Sequence, residues 1–101
     1  MIKNAMRPVH AGEVLREDYL KPLKLSVNAL SKALHVPAGS VNDIVLERLG
    51  VTPDTELWLA RFFGGDAQSW LNLQKMYDLK ITEREKAKQI EAEIQPLVVA
   101  A

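Results

Sequence analysis

Apolar side chains recur every three or four residues along this chain, without the strict alternation that marks a half-buried strand. This period predicts helices joined by short connections. A first helix spans His10–Leu20, and Pro22 is expected to stop or bend it soon afterwards. Ser26 is a good N-cap for a second helix over Val27–Leu34. Pro37 suits the first turn of a third helix, which ends near residue 46. The sequence therefore predicts an all-α fold.

The second half of the chain continues the helical pattern. Thr52 can cap a fourth helix, which has a proline and an acid in its first turn and ends at Phe63 before two glycines. Asp66 can cap a fifth helix. Thr82 and Glu85 form a capping box, which predicts that a separate last helix begins there. Its sparse apolar stripe indicates a peripheral position.

The stretch between residues 25 and 44 has the spacing of a helix-turn-helix unit. Two short helices would bury their apolar sides across a tight turn, using Leu30, Leu34, Val36, Val41 and Ile44. The second helix is then held clear of the domain, at a width that the major groove of B-DNA admits. His35 occupies the turn, where it can tolerate a positive φ. This spacing indicates binding to DNA.

Composition sets limits on this interpretation. The 101 residues, 48% of them hydrophobic, predict one compact domain. The 13 basic and 13 acidic residues give no net attraction to phosphate. Residues 1–48 hold seven basic and five acidic groups, whereas residues 49–101 hold six and eight, so the small positive excess lies with the helix-turn-helix. Without cysteines, a leader or a long apolar run, we expect a cytoplasmic protein with no membrane partner.

Several further segments follow one another in a distinctive order. These are HAGEVLREDYLKPL from His10, VTPDT from Val51, LARFFG from Leu59 and WLNLQKMYDL from Trp70. In this order they resemble the HigA branch of phage-repressor-like antitoxins. The resemblance covers roughly residues 7–80, which we therefore expect to form a helix-turn-helix antitoxin domain. Residues 81–101 are expected to form a C-terminal helical extension.

The resemblance implies a homodimeric, five-helix, lambda-repressor-like DNA-binding domain, here with an additional C-terminal helix. It implies two partners, operator DNA and a HigB-type toxin, which is a small ribonuclease that cleaves mRNA at the ribosome. The protein would neutralise this toxin and repress their shared operon. No cofactor is implied.

The resemblance and the spacing together single out candidate DNA contacts, which are Ser26, Asn28, Lys32, Ala38, Gly39, Ser40, Asn42, Asp43 and Arg48. Ala38 and Gly39 stand where the family usually has long polar side chains. Asn42 can pair with adenine and Asp43 can accept a hydrogen bond from cytosine. The alternative is that both belong to the solvated face of a helix. Arg48 is the best candidate for a phosphate contact.

Apolar side chains of the fourth and fifth helices are candidates for a dimer interface, namely Phe62, Phe63, Trp70, Leu73 and Tyr77. The alternative is that they fill the core of a single subunit. Trp58 lies among polar neighbours and is expected to be exposed, where it would suit a contact with a toxin or a second subunit.

Catalysis has little support. His10 and Glu13 are spaced as two metal ligands on a helix, but no third ligand has a fitting spacing. No serine lies in a nucleophile elbow and no glycine-rich loop follows a strand. We expect neither an enzyme nor a metal site. Three functions remain open: an autorepressing antitoxin, a toxin-binding protein with weak or lost operator affinity, and a stand-alone transcription regulator.

Overall fold

A computed structural model of the chain describes residues 7–98. Within this range the secondary structure is entirely helical, so the predicted all-α fold of five helices is confirmed. The first helix, α1, consists of the turn Ala11–Val14, a π-helical stretch Leu15–Leu20 and a last turn Lys21–Leu23. The others are α2 (Val27–Leu34), α3 (Ala38–Val45), α4 (Pro53–Phe63) and α5 (Ala67–Glu93).

Polar side chains begin four of the five helices. Ser26 Oγ accepts a hydrogen bond from the amide of Ala29 at 3.0 Å, and Asp66 Oδ1 accepts one from the amide of Ser69 at 2.9 Å. Thr52 and His10 cap α4 and α1 in the same way. These caps satisfy amides that have no partner within their own helix. The starts predicted from Ser26, Thr52 and Asp66 are therefore confirmed.

Two predicted helix boundaries differ from the structure. No separate helix begins at Thr82, because α5 continues without a break to Glu93. No glycine or proline interrupts the sequence of α5, so a helix that has already begun propagates through a possible capping box. Pro37 is the residue before α3 rather than part of its first turn. The predicted additional C-terminal helix is thus the outer half of α5.

The core lies between the five helices, each of which contributes buried side chains to it. Leu15, Leu30 and Leu59 are completely buried at its centre, and Trp70 closes it from α5. Gly12 marks the closest approach of two helices, since a Cβ atom built there would lie 1.8 Å from the carbonyl oxygen of Ile44. The backbone of α1 therefore rests directly on that of α3, and this fixes the position of α3.

The molecule is elongated, with extents of 58 × 26 × 24 Å and a radius of gyration of 17.2 Å. A compact chain of this length would have a radius of gyration of about 13 Å. The difference arises from α5, which is about 40 Å long and extends beyond the core. From residue 82 onward its side chains are exposed, apart from the partly covered Ala87. Residues 99–101 of the predicted extension lie outside the described range.

Among the described residues, no helix combines the length and the hydrophobicity needed to span a membrane.

Candidate nucleic-acid interface

The helix-turn-helix is formed by α2, a left-handed turn residue and α3. His35 has φ 60° and ψ 42°, as its place in the turn predicts. The amide of Val36 then donates to the carbonyl of Ser31 at 3.0 Å, which ends α2 and reverses the chain. His35 therefore has a structural role, and α3 follows after two residues.

The first turns of α2 and α3 lie side by side and form an open recess on the surface. It is lined by Ser26, Val27, Asn28, Ala38, Gly39 and Asn42. Five of the nine candidate DNA contacts thus meet at one place. Because the hydroxyl of Ser26 already caps α2, Asn28 and Asn42 are the side chains left to make polar contacts there.

Gly39 leaves the backbone of α3 open at this recess. No atom lies within 4 Å of the position that a Cβ atom would take there. Pro37, which precedes α3, provides no side-chain cap. The amino end of α3 is therefore accessible to a ligand, and such an end favours an anion such as phosphate.

The remaining candidates lie apart from the recess. Ser40 and Asp43 face the cleft between α3 and α4. Asp43 Oδ1 accepts a hydrogen bond from Arg48 Nε at 3.0 Å and forms an ion pair with Arg48 Nη2 at 2.9 Å. The proposed cytosine reader and the proposed phosphate contact thus neutralise each other. Lys32 is exposed on α2.

Arg16 of α1 holds the carboxyl end of α3, a role that the sequence analysis missed. Its Nη1 donates to the carbonyl of Val45 at 2.5 Å, and its Nη2 donates to Glu47 at 3.2 Å. A cation at this end complements the helix dipole. Glu47 has φ 62°, so this ion pair also holds a left-handed residue in place. The only signal in the sequence is a basic residue on the first helix, which does not reveal its distant partner.

The candidate dimer residues differ in accessibility. Trp70 is buried, and Phe63 packs on Tyr19 with their ring centroids 4.6 Å apart. Tyr77 packs edge-on against His10, with centroids 4.8 Å apart. Leu73 is partly buried against the core, whereas Phe62 is 43% exposed. Trp58 is 37% exposed, which agrees with its expected position at the surface.

His10 and Glu13, the pair with metal-ligand spacing, each have another partner. His10 is buried, and its Nδ1 accepts from the amide of Gly12 at 2.8 Å. Burial lowers the pKa of His10. Both oxygens of Glu13 accept from Arg7, at 2.8 and 2.6 Å, and this hydrogen bonding lowers the pKa of Glu13. In this arrangement the two side chains stabilise the start of α1.

Comparison with known proteins extends these findings. Virulence-associated protein I of Dichelobacter nodosus is 60% identical over 84 residues, which are 83% of this chain and 78% of that protein. Antitoxin HigA-1 of Vibrio cholerae is 32% identical over 79 residues, which are 78% of this chain and 74% of that protein. No protein-family model matches the chain.

Among solved structures, the Pseudomonas aeruginosa antitoxin HigA with the higBA promoter is similar in fold, with a TM-score of 0.88 and 46% sequence identity. The match covers 91% of this chain and 100% of that one. The similarity therefore extends over most of the helical chain and is not confined to the helix-turn-helix.

Proposed function

This chain belongs to the HigA family of helix-turn-helix antitoxins, and on that premise we propose that it is an autorepressing antitoxin. It binds operator DNA as a homodimer, and it binds and neutralises a HigB-type toxin that cleaves mRNA. The observation that carries the DNA-binding part is the recess where the first turns of α2 and α3 meet. Since its target is operator DNA, the protein acts in the cytoplasm.

Each part of the recess has a distinct task in this proposal. The open amino end of α3 and the first turn of α2 contact phosphate, with Asn28 as the nearest exposed polar side chain. Asn42 forms two hydrogen bonds with an adenine. Ala38 contacts a thymine methyl group, and Gly39 allows the backbone to approach the base edges. Lys32 and Arg48 add contacts to phosphate.

Few basic side chains serve this surface, so each subunit alone binds weakly. A two-fold dimer places two copies of α3 about 34 Å apart, which is one turn of B-DNA. Each copy then reads one half-site, and the two binding energies combine. The affinity falls as the salt concentration rises, because each phosphate contact releases counterions.

Fluorescence anisotropy with the upstream DNA of its own operon, compared with scrambled DNA, tests sequence reading. We expect a preference for the upstream DNA that falls about tenfold or more in Asn42→Ala, because a bidentate contact to a base is lost. Asn72→Ala is the matched control, since Asn72 is exposed on α5, away from the recess. Equal binding to both DNAs would contradict the proposal.

Toxin neutralisation has its own test. A purified HigB-type ribonuclease cleaves a reporter mRNA that ribosomes are translating in a cell-free extract, and we expect an equimolar amount of this protein to stop the cleavage. Asn42→Ala should inhibit as well as the wild type if the DNA surface and the toxin surface are separate. The relatives include an antitoxin and a helix-turn-helix transcriptional regulator, and we propose that this chain likewise has no catalytic activity of its own.

One observation favours a second candidate, a toxin-binding protein with weak operator affinity. Asp43 neutralises Arg48, the candidate phosphate contact that follows α3. A carboxylate at this position also repels phosphate. Under this candidate, the protein still inhibits the ribonuclease but shows no preference in the anisotropy experiment.

A further inference from the structure

An open cleft of about 470 Å³ lies just beyond the carboxyl end of α3. One wall is the connection between α3 and α4, residues 47–52, and the other wall is formed by Gln74, Tyr77 and Asp78 of α5. His10, at the start of α1, also lines the cleft. The recess that we propose to face DNA lies at the opposite end of α3, about 12 Å away along a helix of eight residues.

His10 presents a hydrogen-bond donor to this cleft, although the residue is only 3% exposed. Burial lowers the pKa of His10, so the ring is uncharged at neutral pH. Its Nδ1 accepts from the amide of Gly12, which leaves the proton on Nε2. Among residues 7–98, Nε2 has no hydrogen bond, and Glu56 Oε2 is the one fully buried side-chain atom in that situation. Nε2 therefore reaches solvent, and it does so in the cleft that His10 lines.

Two carboxylates line the same cleft, and each is held through one of its oxygens. Glu47 Oε2 accepts from Arg16 Nη2 at 3.2 Å, and Asp78 Oδ1 accepts from Gln74 Nε2 at 3.0 Å. Gln74 is itself buried, and its Oε1 accepts from the amide of Val51 at 3.4 Å. In the part of the chain that the structure describes, the second oxygen of each carboxylate has no hydrogen bond. The two carboxylates are thus oriented in advance, each with an oxygen available to a ligand.

These groups together fit a cation that carries several donors. A guanidinium group has five N–H donors in a planar fork, so it can bind two carboxylates at once. Arg48 also lines the cleft, but its guanidinium group is already bound to Asp43. The donor on His10 Nε2 requires an acceptor in addition, and the main-chain carbonyl of a bound polypeptide provides one.

We propose that this cleft binds an arginine side chain of the HigB-type toxin. The guanidinium group of the toxin pairs with Asp78 and Glu47, and a neighbouring carbonyl oxygen of the toxin accepts the hydrogen bond from His10 Nε2. The inference rests on the proposed function, because it assigns the toxin contact that the sequence did not mark.

The charges of the cleft favour a toxin over the other partners of this chain. Carboxylates repel the phosphates of DNA. A two-fold pair of identical clefts would bring carboxylates against carboxylates, and a basic side chain from elsewhere on a second copy would give an open assembly instead of a closed dimer. A ribonuclease, in contrast, presents exposed basic side chains, because it has to bind the phosphates of its RNA.

Isothermal titration calorimetry of the full-length chain with the purified toxin, at physiological salt, tests the inference. In Asp78→Asn we expect the dissociation constant to rise about tenfold or more, because the charge is lost while the acceptor for Gln74 remains. His10→Asn keeps a capping side chain but loses the Nε2 donor, so it should weaken binding by a smaller factor. Glu85→Gln is the matched control, since it makes the same carboxylate-to-amide change at an exposed position of α5 outside the cleft.

A double-mutant cycle distinguishes a direct contact from a general attraction of charges. Each arginine of the toxin is changed to glutamine in turn, and each toxin variant is titrated with the wild type and with Asp78→Asn. We expect one toxin arginine for which Asp78→Asn causes almost no further loss, because both changes break the same pair. Circular dichroism verifies that every variant is folded.

The inference is overturned if Asp78→Asn binds the toxin like the wild type, if Glu85→Gln loses as much affinity, or if the effects of all toxin arginines simply add. N-acetyl-argininamide, a small molecule with a guanidinium group and carbonyl oxygens, is titrated separately. The inference is also overturned if Asp78→Asn weakens the binding of this compound but not that of the toxin, which would assign the cleft to a free small cation.

Failure of the proposed function gives a different result. A wild type that does not bind the toxin at all refutes both the toxin part of the proposed function and the inference. If only the inference fails, the wild type and Asp78→Asn bind and inhibit the toxin equally well. In either case, a preference for the upstream DNA and its loss in Asn42→Ala are unaffected, because the recess lies at the other end of α3.

Discussion

Asp43 and Arg48 are partners beside the surface that we propose to face DNA. The two side chains are 36% and 59% exposed, so water weakens the pair, and it contributes little to stability. Its larger effect is on binding, because Arg48 must leave Asp43 before it can contact a phosphate. A single carboxylate thus limits the affinity of a surface that has few basic groups.

Asp43→Asn should therefore bind operator DNA more tightly than the wild type. The change removes a repulsive charge and frees Arg48, so the slope of log K against log salt concentration should become steeper by about one. Anisotropy over a salt series measures both effects. Asp18→Asn is the control, because it removes an exposed carboxylate of α1. An unchanged slope in Asp43→Asn would mean that Arg48 does not reach a phosphate.

The hydrogen bond between His10 and the start of α1 depends on the protonation state of His10 and therefore on the pH. Its Nδ1 can accept the hydrogen bond from Gly12 only when that nitrogen is unprotonated. Burial lowers the pKa of His10, and the positive charge of Arg16 lowers it further. The carboxylates of Glu47, Asp78 and Glu13 raise this pKa, but their effect is smaller than that of burial. The folded protein thus binds this proton less tightly than the unfolded chain does.

The free energy of unfolding of the wild type should accordingly decrease as the pH falls below about 6.5, which is the ordinary pKa of histidine. Below this pH the unfolded chain takes up a proton on His10 more readily than the folded protein does, and this favours unfolding. Above that pH the contribution of His10 is fully present. Urea unfolding at pH 7.5 and 5.5 measures the loss. In His10→Asn, which retains a capping side chain without a titrating ring, the loss should be smaller. Equal losses in both proteins would exclude His10 as the cause.

At the scale of elements, α1 positions α3 through two contacts at its carboxyl end. Gly12 lets the α1 backbone rest on the carbonyl of Ile44, and Arg16 holds the carbonyl of Val45 one residue later. The first contact depends on the absence of a side chain and the second on a long one. Together they hold the helix that we propose to read DNA at a fixed angle to the domain.

Gly12→Ala should destabilise the fold by about 1–3 kcal/mol or more, because its methyl group would overlap the Ile44 carbonyl and force the two helices apart. Urea unfolding measures the loss. Gly39→Ala is the matched control, since its methyl group would enter open space within a helix. That variant should be as stable as the wild type or about 0.5–1 kcal/mol more stable. Equal stability of the two variants would disprove the close contact.

At the scale of the whole molecule, the long helix α5 belongs to the core with its first half and extends away from it with its second half. The first half of α5 contributes Trp70 and Gln74 to the buried interior, and Tyr77 packs on His10. From residue 82 to residue 93 the side chains of the helix are exposed, apart from the partly covered Ala87. We propose that residues 81–98 are an extension of a domain that ends near residue 80.

A chain that ends at Lys80 should keep its stability within about 1 kcal/mol, because exposed helical residues contribute little. A chain that ends at Met76 should lose more, since Tyr77 then no longer covers His10. Urea unfolding distinguishes the two truncations. A large loss in the longer chain would show that the outer half of α5 is needed for folding.

Much of the local structure could be predicted because it depends on neighbouring residues. The caps Ser26, Thr52 and Asp66 act on amides three residues away, so the sequence alone reveals them. The left-handed turn at His35 follows in the same way from the apolar spacing on both sides. The break expected at Thr82 was wrong because a capping box starts a helix only where the preceding helix has ended.

The sequence by itself therefore determined the all-helical class, most of the helix starts and the family, since these depend on short-range periodicity and on motif order. Only the tertiary structure decided which side chains remain available for binding. It buried Trp70, paired Asp43 with Arg48 and left Leu57 exposed. It also buried Glu56, whose pKa is raised by that burial. Such outcomes depend on contacts between residues far apart in the chain, and no local pattern records those distances.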